Sequence, residues 1–432
     1  MFKLAIAIYS SLMRITPFFL RAGGFFSRKI ADRADARKGI KSRWISGARR
    51  FDTDSVRVWF HVASVGEFLQ AKPVISLLSG NSSPRIETAL TFSSPSGINN
   101  LDKFLDSSES GLITFADYLP LDTPGNASFC LETLRPDIIV YVKYDLWPNL
   151  ILEAENRGIP QILISAGLSE SSGRYSFPAR WFYGRLYSLL NIISASTSKD
   201  AGRFTDCSEE ARVVTGGDTK YDQVYSRISK PDSSLSSPDI PSGPDYIVAG
   251  STWPDDERLL LPGFSRLREE NSNISLIIAP HEPTDERVED IIRSADQLSL
   301  AAAPLSGIKG KGKYPVIIAD GIGYLAELYR VGTIAYVGGG FSAGVHNVLE
   351  PAVLGLPVMF GPGIENSHEA QELKELGAGT VTADAAHFAE TADQLLNNPD
   401  LLMSIGKSGI EYIESKMGAS ERYRDLIMEL LE

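Results

Sequence analysis

Cysteine is nearly missing from this 432-residue chain, which has only Cys130 and Cys207. Two cysteines cannot build a disulfide framework, and neither sits in a CxxC or Cys/His pattern, which argues against a structural zinc site. A reducing cytoplasmic setting is expected. The dinucleotide fingerprint G-x-G-x-x-G, with an acidic residue about 20 positions on, is absent from the start of both halves, and so is the P-loop G-x-x-x-x-G-K-[ST]. Neither dinucleotide redox chemistry nor ATP hydrolysis is favoured. No repeat recurs at a solenoid period. The chain also lacks a clean membrane span. Its apolar stretch Leu4–Phe26 is broken by Arg14, Pro17 and Arg21, and a central arginine is expensive in hydrocarbon. The same interruptions, with no A-x-A site following cleanly, argue against a signal peptide.

What is present is ordinary globular composition, 43% hydrophobic and 22% charged, at a length that predicts two domains. The net charge of −12 is unevenly spread. Residues 1–50 hold twelve Lys/Arg against Asp32 and Asp35, a balance of +10 that leaves −22 for the rest. An acidic body argues against nucleic acid as a partner, and a basic arm suits an anionic surface. Lys3, Arg14, Arg21 and Arg28 are spaced by eleven, seven and seven residues, nearly one azimuth of a helix. That predicts an interfacial helix lying on anionic lipid, kinked near Pro17. The plainer reading is an amphipathic helix packed on its own domain.

From Arg57 onward short apolar runs alternate with helical stretches, predicting parallel strands with crossover helices. Candidate strands are Arg57–Ala63, Ile86–Phe92, Ile138–Val142, Gln161–Ser165 and Asn191–Ala195. Ligands of such sheets bind at the carboxyl ends of strands, so the loops just after them carry the functional candidates. Glu67 follows the first strand, beside the amino end of the next helix. The helix dipole is expected to lower its pKa and keep it ionised as a general base. The plainer alternative is a helix-capping glutamate. His61, within the strand, reads as a packed histidine. Lys143, Asp145 and Trp147 follow IIVYV, where Trp147-Pro148 would also pin a helix start. The segment 178–190, PARWFYGRLYSLL, is equally readable as a lipid-contacting face or a core helix.

The Ser/Pro/Asp/Gly-rich stretch 230–245 marks the domain boundary. Beyond it come Tyr246–Ala249, Ile274–Ala279, Val316–Asp320, Thr333–Val337 and Pro357–Phe360. Gly250-Ser251-Thr252 follows the first of these, offering two hydroxyls to a phosphate or carboxylate. His281 follows the second. After the fourth come Gly338, Gly339 and Gly340, then a helix expected to begin near His346, with backbone N–H groups unpaired and turned outward for a phosphate. Glu350 on that helix suits ribose hydroxyls. Glu365, Asn366 and His368 follow the last strand. Four strand ends with anion- or sugar-compatible groups predict a nucleotide-binding half, although the glycine turn alone is as readable as a tight connection.

Together ASVGE at 63–67, YLPLDTPG at 118–125, DLWPN at 145–149, GDTKYD at 217–222, GST at 250–252 and GVHNVLEPAVLGLPVMFGP at 344–362 resemble the 3-deoxy-D-manno-octulosonic acid (Kdo) transferases. The resemblance runs over nearly the whole chain. It implies a GT-B glycosyltransferase, with two Rossmann-like α/β domains facing a cleft and an N-terminal amphipathic membrane-associating helix. It further implies transfer of Kdo from CMP-Kdo to the lipid A disaccharide precursor (lipid IVA), with inversion, at the cytoplasmic face of the inner membrane, in lipopolysaccharide biosynthesis. Glu67 matches the catalytic base. Ser251, Thr252, His281, Gly339, Gly340, His346, Asn347, Glu350 and Asn366 are the donor-site candidates, and Lys143, Asp145 and Lys220 the candidates for acceptor or Kdo. No cofactor or metal is implied, since no DxD motif stands at a strand end, and CMP-Kdo is a co-substrate.

The expected division is 1–45 as the arm, 46–230 as the acceptor domain, 231–245 as linker and 246–432 as the donor domain, with the last helix available to pack back on the first domain. Three departures stand out: Lys143-Tyr144-Asp145 where the family often has Glu-x-Glu, Pro280-His281 where it often has Arg-His, and 166–172 without its arginine. The competing readings are a GT-B transferase using a UDP-sugar and a membrane lipid acceptor, a nucleotide-sugar epimerase or hydrolase, and an inactive membrane scaffold.

Overall fold

The computed structural model describes residues 1–24, 35–80, 85–94, 98, 101, 111–229, 240, 245–308 and 314–432. Arg28, the side chain of Arg21 and most of the expected linker 231–245 lie outside the described residues. The chain divides into two compact units, Met1–Gln223 with Lys416–Glu432, and Val224–Ser415.

The first unit carries β1 (Val56–Val62), β2 (Ile86–Phe92), β3 (Phe115–Tyr118), β4 (Ile138–Val142), β5 (Gln161–Ala166), β6 (Ile192–Ala195) and β7 (Val213–Thr215). They form one sheet in the order β3-β2-β1-β4-β5-β6-β7, with parallel pairing throughout. Its helices are α1 (Phe2–Gly24), α2 (Ile40–Ala48), α3 (Val65–Leu78), α4 (Pro124–Leu134), α5 (Pro148–Asn156), α6 (Ala179–Tyr187), α7 (Ser198–Cys207) and the start of α8 (Lys220–Ser229). The central strands are buried on both faces, which is why they read as continuous apolar runs rather than alternating ones. Capping side chains set the helix starts: Ser64, Thr123 and Thr197 each accept from a first-turn N–H, and proline opens α4 and α5.

Residues 40–48, which the sequence assigns largely to the arm, belong to the core. Trp44 is fully buried, meets Trp59 and Phe115 edge to face at 5.6 and 5.4 Å, and donates from Nε1 to the Tyr118 carbonyl at 3.0 Å. A large aromatic with its N–H satisfied is a strong anchor. Ahead of it, α1 divides its faces. Met1, Leu4, Ile8, Leu12 and Ile15 are exposed at steps of three and four, a single apolar face turned to solvent. Lys3 and Arg14 are also exposed, at the azimuth expected for the basic stripe. The opposite side packs on the domain: Phe2 meets Trp181 and Phe182, and buried Ser10 donates to Asn149 Oδ1 at 2.7 Å. The packed reading of this helix is met on that side; the interfacial reading concerns the exposed one.

The second unit carries β8 (Asp245–Thr252), β9 (Ile274–Pro280), β10 (Ala302–Pro304), β11 (Val316–Ile318), β12 (Ile334–Val337), β13 (Val358–Phe360) and β14 (Gly379–Val381). Their order is β10-β11-β9-β8-β12-β13-β14, again all parallel. Its helices are α9 (Pro254–Glu270), α10 (Asp285–Gln297), α11 (Leu325–Val331), α12 (Leu349–Val353), α13 (His368–Glu375), α14 (Ala385–Leu396) and most of α15 (Pro399–Lys416). The last helix, α16 (Ala419–Leu431), belongs to the first unit, where the Tyr423 hydroxyl accepts from Ser165 N at 3.0 Å.

The winding switches sides between β1 and β4 in the first unit and between β8 and β12 in the second, where β11 is also inserted between β9 and β10. Such switch points open a crevice at the carboxyl ends of the two strands. The residues following β1, β4, β8 and β12 therefore line these crevices.

Candidate active site

At the first switch point Glu67 lies in the opening turn of α3, only 4% exposed. Its carboxylate accepts from the Ala63 N–H, so it also braces the turn, as the plainer reading of this residue expects. Burial raises its pKa above the ordinary carboxylate value, and the Asp145 charge adds to that. The Ala63 N–H, His61 and Lys143 pull the other way without overcoming it. The dipole argument thus predicts the wrong sign: desolvation disfavours the charged form more than the helix end favours it. The outcome suits a general base better, because a carboxylate with a raised pKa is the stronger proton acceptor.

Lys143 and Asp145, after β4, stand in the same neighbourhood, since both charges act on Glu67. Lys143 adopts φ 61°, the left-handed region sparsely used by non-glycine residues. Fully buried His61 links the two strands, with Nδ1 2.9 Å from Thr91 Oγ1 and Nε2 3.1 Å from Asp145 Oδ2. Ser93 also donates to Asp145. Burial alone would raise the Asp145 pKa, but hydrogen bonding and charge from His61, with Ser93 and Trp147, hold it at about 2. A depressed native pKa contributes stability that is present above the unfolded value, 3.8, and is lost as pH falls through the native one. Asp145→Asn is therefore expected to flatten the acid limb of stability between about pH 4 and 2. Chemical denaturation across that range checks it, and an unchanged limb would contradict it.

Asp122, from YLPLDTPG, is buried at the start of α5, accepting from Asn149 N at 2.9 Å and Leu150 N at 3.0 Å. Burial pushes its pKa up to about 6, against these bonds and one from Tyr9. Tyr9 and Ser10 thus tie α1 to the DTPG and LWPN motifs. Lys220 lies at the start of α8, its Nζ 3.5 Å from Asp218 and 5.1 Å from the Tyr221 ring.

At the second switch point the expected glycine cradle is built differently. Helix α12 begins at Leu349, not near His346, and runs only five residues. Asn347 Oδ1 accepts from Leu349 N at 3.1 Å and holds the preceding residues out of the helix. The loop amides are largely turned inward: Gly338 N reaches Gly250 O, Gly344 N reaches Gly339 O, and His346 N reaches Gly338 O, at 2.9, 2.9 and 3.1 Å. A Cβ on Gly338 would lie 2.4 Å from the Ser251 carbonyl oxygen, and Gly339 has φ 96°. These two positions require glycine for backbone packing and conformation, whatever binds nearby.

A carboxylate occupies the place expected of a phosphate. Asp256, fully buried in α9, accepts at Oδ2 from Gly339 N and Trp253 N, both at 2.8 Å, and at Oδ1 from the Tyr336 hydroxyl at 2.9 Å. Burial raises its pKa, while those three donors and His346 lower it. Ser251 and Thr252 fall inside β8 rather than in a loop after it, with a register shift between Gly250 and Thr252 and φ 53° at Ser251. The Thr252 hydroxyl, 2% exposed, donates to Glu257 Oε1 at 2.9 Å, and Glu257 pairs with Arg287. Thr252 therefore shapes the strand end instead of offering its hydroxyl to a ligand.

His281 and His346 do come together, their rings 4.6 Å apart and 17° from parallel. Trp253 joins them. Gly340 is buried against Gly361, and Asn366 is exposed, with Nδ2 donating to Val345 O at 3.4 Å. Glu350 pairs with Arg227 at 2.9 Å, so ribose hydroxyls would have to compete with that ion pair. Trp253 and Asp256 are the residues the sequence reading missed. An acid three positions after a Trp-Pro helix start was the available signal.

The family model described as 3-deoxy-D-manno-octulosonic-acid transferase (Kdo transferase) matches residues 32–223. A 3-deoxy-D-manno-octulosonic acid transferase of Haemophilus influenzae is 26% identical over 385 residues, 87% of each chain. One from Chlamydia trachomatis serovar A is 28% identical over 404 residues, 90% of this chain and 89% of the relative. Among solved structures, UDP-GlcNAc 2-epimerase from Neisseria meningitidis superposes with a TM-score of 0.60 at 17% identity, over 87% of this chain and 99% of that one. That likeness speaks for the fold: two Rossmann-like α/β domains of the GT-B type. With the motifs of both switch points in place, the chain is a glycosyltransferase, similar over most of its length to the 3-deoxy-D-manno-octulosonic acid transferases.

Proposed function

We propose that this enzyme transfers Kdo from CMP-Kdo to a hydroxyl of the lipid A disaccharide precursor, lipid IVA, with inversion. The observation that carries the mechanism is the buried Glu67 carboxylate at the end of β1, its pKa raised by desolvation. In the reaction the acceptor hydroxyl attacks the anomeric carbon of Kdo and passes its proton to Glu67. The bond from that carbon to the phosphate oxygen breaks, and CMP leaves with the electron pair. Lys143 lies near Glu67 and suits the carboxylate of Kdo or a phosphate of the acceptor. Asp145 is held ionised by its bonds with His61 and Ser93, and it orients that end of β4. The second unit holds CMP through side chains more than through loop amides, with His281, His346, Asn347 and Asn366 around the turn that Asp256 shapes. No metal is assigned a part.

Ligand-dependent thermal protection tests the donor assignment. CMP should raise the melting temperature and UDP should not; protection by UDP alone would move the chain to the UDP-sugar reading.

The acceptor would be met at a membrane. Among the described residues no helix is long and apolar enough to cross one. The exposed face Met1, Leu4, Ile8, Leu12 and Ile15, beside Lys3 and Arg14, suits attachment to the anionic cytoplasmic surface of the inner membrane. Ile8→Glu with Leu12→Glu should abolish most cosedimentation with vesicles containing anionic phospholipid while leaving the packed side of α1 intact. Unchanged sedimentation would contradict this attachment. Truncating the arm is a poorer test, because Tyr9 and Ser10 are bonded to the Asp122 and Asn149 motifs.

A further inference from the structure

The three rings at the second switch point have an arrangement with a chemical consequence for His346. Trp253 and His346 are 2° from parallel with centroids 6.3 Å apart, and Trp253 Nε1 lies 2.8 Å from His346 Nε2. Parallel planes joined by an in-plane hydrogen bond mean that the two rings lie edge to edge rather than face to face. His281 covers both, 5.0 Å from Trp253 and 4.6 Å from His346, tilted by 19° and 17°. The indole N–H is a donor and never an acceptor, so His346 Nε2 must present its lone pair. A neutral imidazole with a bare Nε2 carries its proton on Nδ1. Protonating Nε2 would set one N–H against another.

We propose that Trp253 is a positioning residue that clamps His346 in the neutral, Nδ1-protonated form, making it a fixed hydrogen-bond donor to the anionic or carbonyl oxygens of the donor nucleotide. The last clause rests on the donor-site reading above; the clamp itself does not. Two other groups face His346. His281 opposes a positive charge there, and Asp256 favours one. Burial and His281 outweigh Asp256, and the His346 pKa lies below its ordinary value. This agrees with the clamp, as does the route by which the ring is held: Trp253 N is itself bonded to Asp256, which also holds Gly339. One buried carboxylate therefore fixes both the turn and the residue that sets the tautomer. A neutral donor keeps its proton at a fixed atom as pH falls, whereas a titrating histidine would change its charge across the physiological range.

The chain has five histidines, so selective 15N-histidine labelling of the full-length protein resolves them, with His346→Gln assigning the signal. In the unmodified protein His346 is expected to show the Nδ1–H pattern at pH 7. Trp253→Phe keeps a flat ring but removes the donor. It should mix the tautomers, raise the His346 pKa toward the ordinary value, and give CMP affinity a pH dependence between about pH 5 and 7 that the unmodified protein lacks. An Nε2–H pattern in the unmodified protein overturns the clamp even if the variant does not fold. An unshifted tautomer and pKa in folded Trp253→Phe also overturn it. The Nδ1–H pattern without any CMP binding upholds the clamp and sinks the donor-site reading alone.

Discussion

Glu67→Gln is expected to lower turnover by about 10²–10⁴-fold, the range general bases contribute, while CMP binding stays within about twofold. The amide fills the same volume and can still accept from the Ala63 N–H, so the turn at the head of α3 should survive. What is lost is the proton acceptor. In the unmodified enzyme the acid limb of turnover should lie above the ordinary carboxylate range, because burial raises the Glu67 pKa. The ionised base is present above that pKa and is lost as pH falls through it. Steady-state kinetics across pH, with CMP affinity measured beside it, checks both expectations. Comparable turnover in the glutamine variant would place the base elsewhere. A parallel loss of CMP affinity and turnover would make Glu67 a structural brace.

The second large effect is expected at Asp256, and on stability. Asp256→Ala leaves Gly339 N, Trp253 N and the Tyr336 hydroxyl without their acceptor. Toward the low end of the roughly 1–3 kcal/mol that each unsatisfied buried donor costs, since Trp253 N is only partly buried, the three together should cost the second unit about 3–5 kcal/mol. A domain of that size should then melt roughly 10 °C lower. Asp256→Asn should cost far less, since its oxygen can keep the two amides while its nitrogen donates to the Tyr336 hydroxyl. Scanning calorimetry with hydrogen exchange at Gly339 separates the two variants. Equal melting of Asp256→Ala and the unmodified chain would mean that the carboxylate does not hold the glycine turn.

These two residues also mark how far the sequence could be read. Glu67 was accessible because parallel strands buried on both faces appear as apolar runs, and the group just after such a run sits at the functional end of the sheet. Its protonation behaviour was not, because a dipole argument counts the helix end and omits the water removed. Asp256 does not stand out in the sequence, because GST carries the hydroxyls of a site and the residues behind it have the composition of a helix start. Only the Trp253 N bond is local; the other two donors, the Tyr336 hydroxyl and Gly339 N, lie 80 and 83 residues away, and no local spacing encodes those. The short strands β3, β7, β10 and β14 escaped for another reason. Three or four residues, with Asp117 in β3 and Gly379 in β14, carry too little periodicity to stand out. The misplaced helix at His346 had the opposite cause: HNVLEPAVLGL has helical composition, but the Asn347 side chain bonds to Leu349 N and delays the start.

The three departures from the family pattern also find physical places. Lys143 and Asp145 stand beside Glu67 as a cation and a strongly acidic carboxylate, where paired glutamates would give two negative charges. Pro280 ends β9, leaving His281 as the side chain that reaches the Trp253–His346 pair. Segment 166–172 takes its cation from elsewhere, Arg203 donating to Leu168 O and Glu170.

The most direct test of the account is to incubate the full-length protein in detergent with CMP-Kdo and tetraacylated lipid A precursor, then weigh the lipid. A product heavier by one or more whole Kdo residues is expected, with CMP released in the same number. An unchanged lipid mass from folded, CMP-binding protein would contradict it.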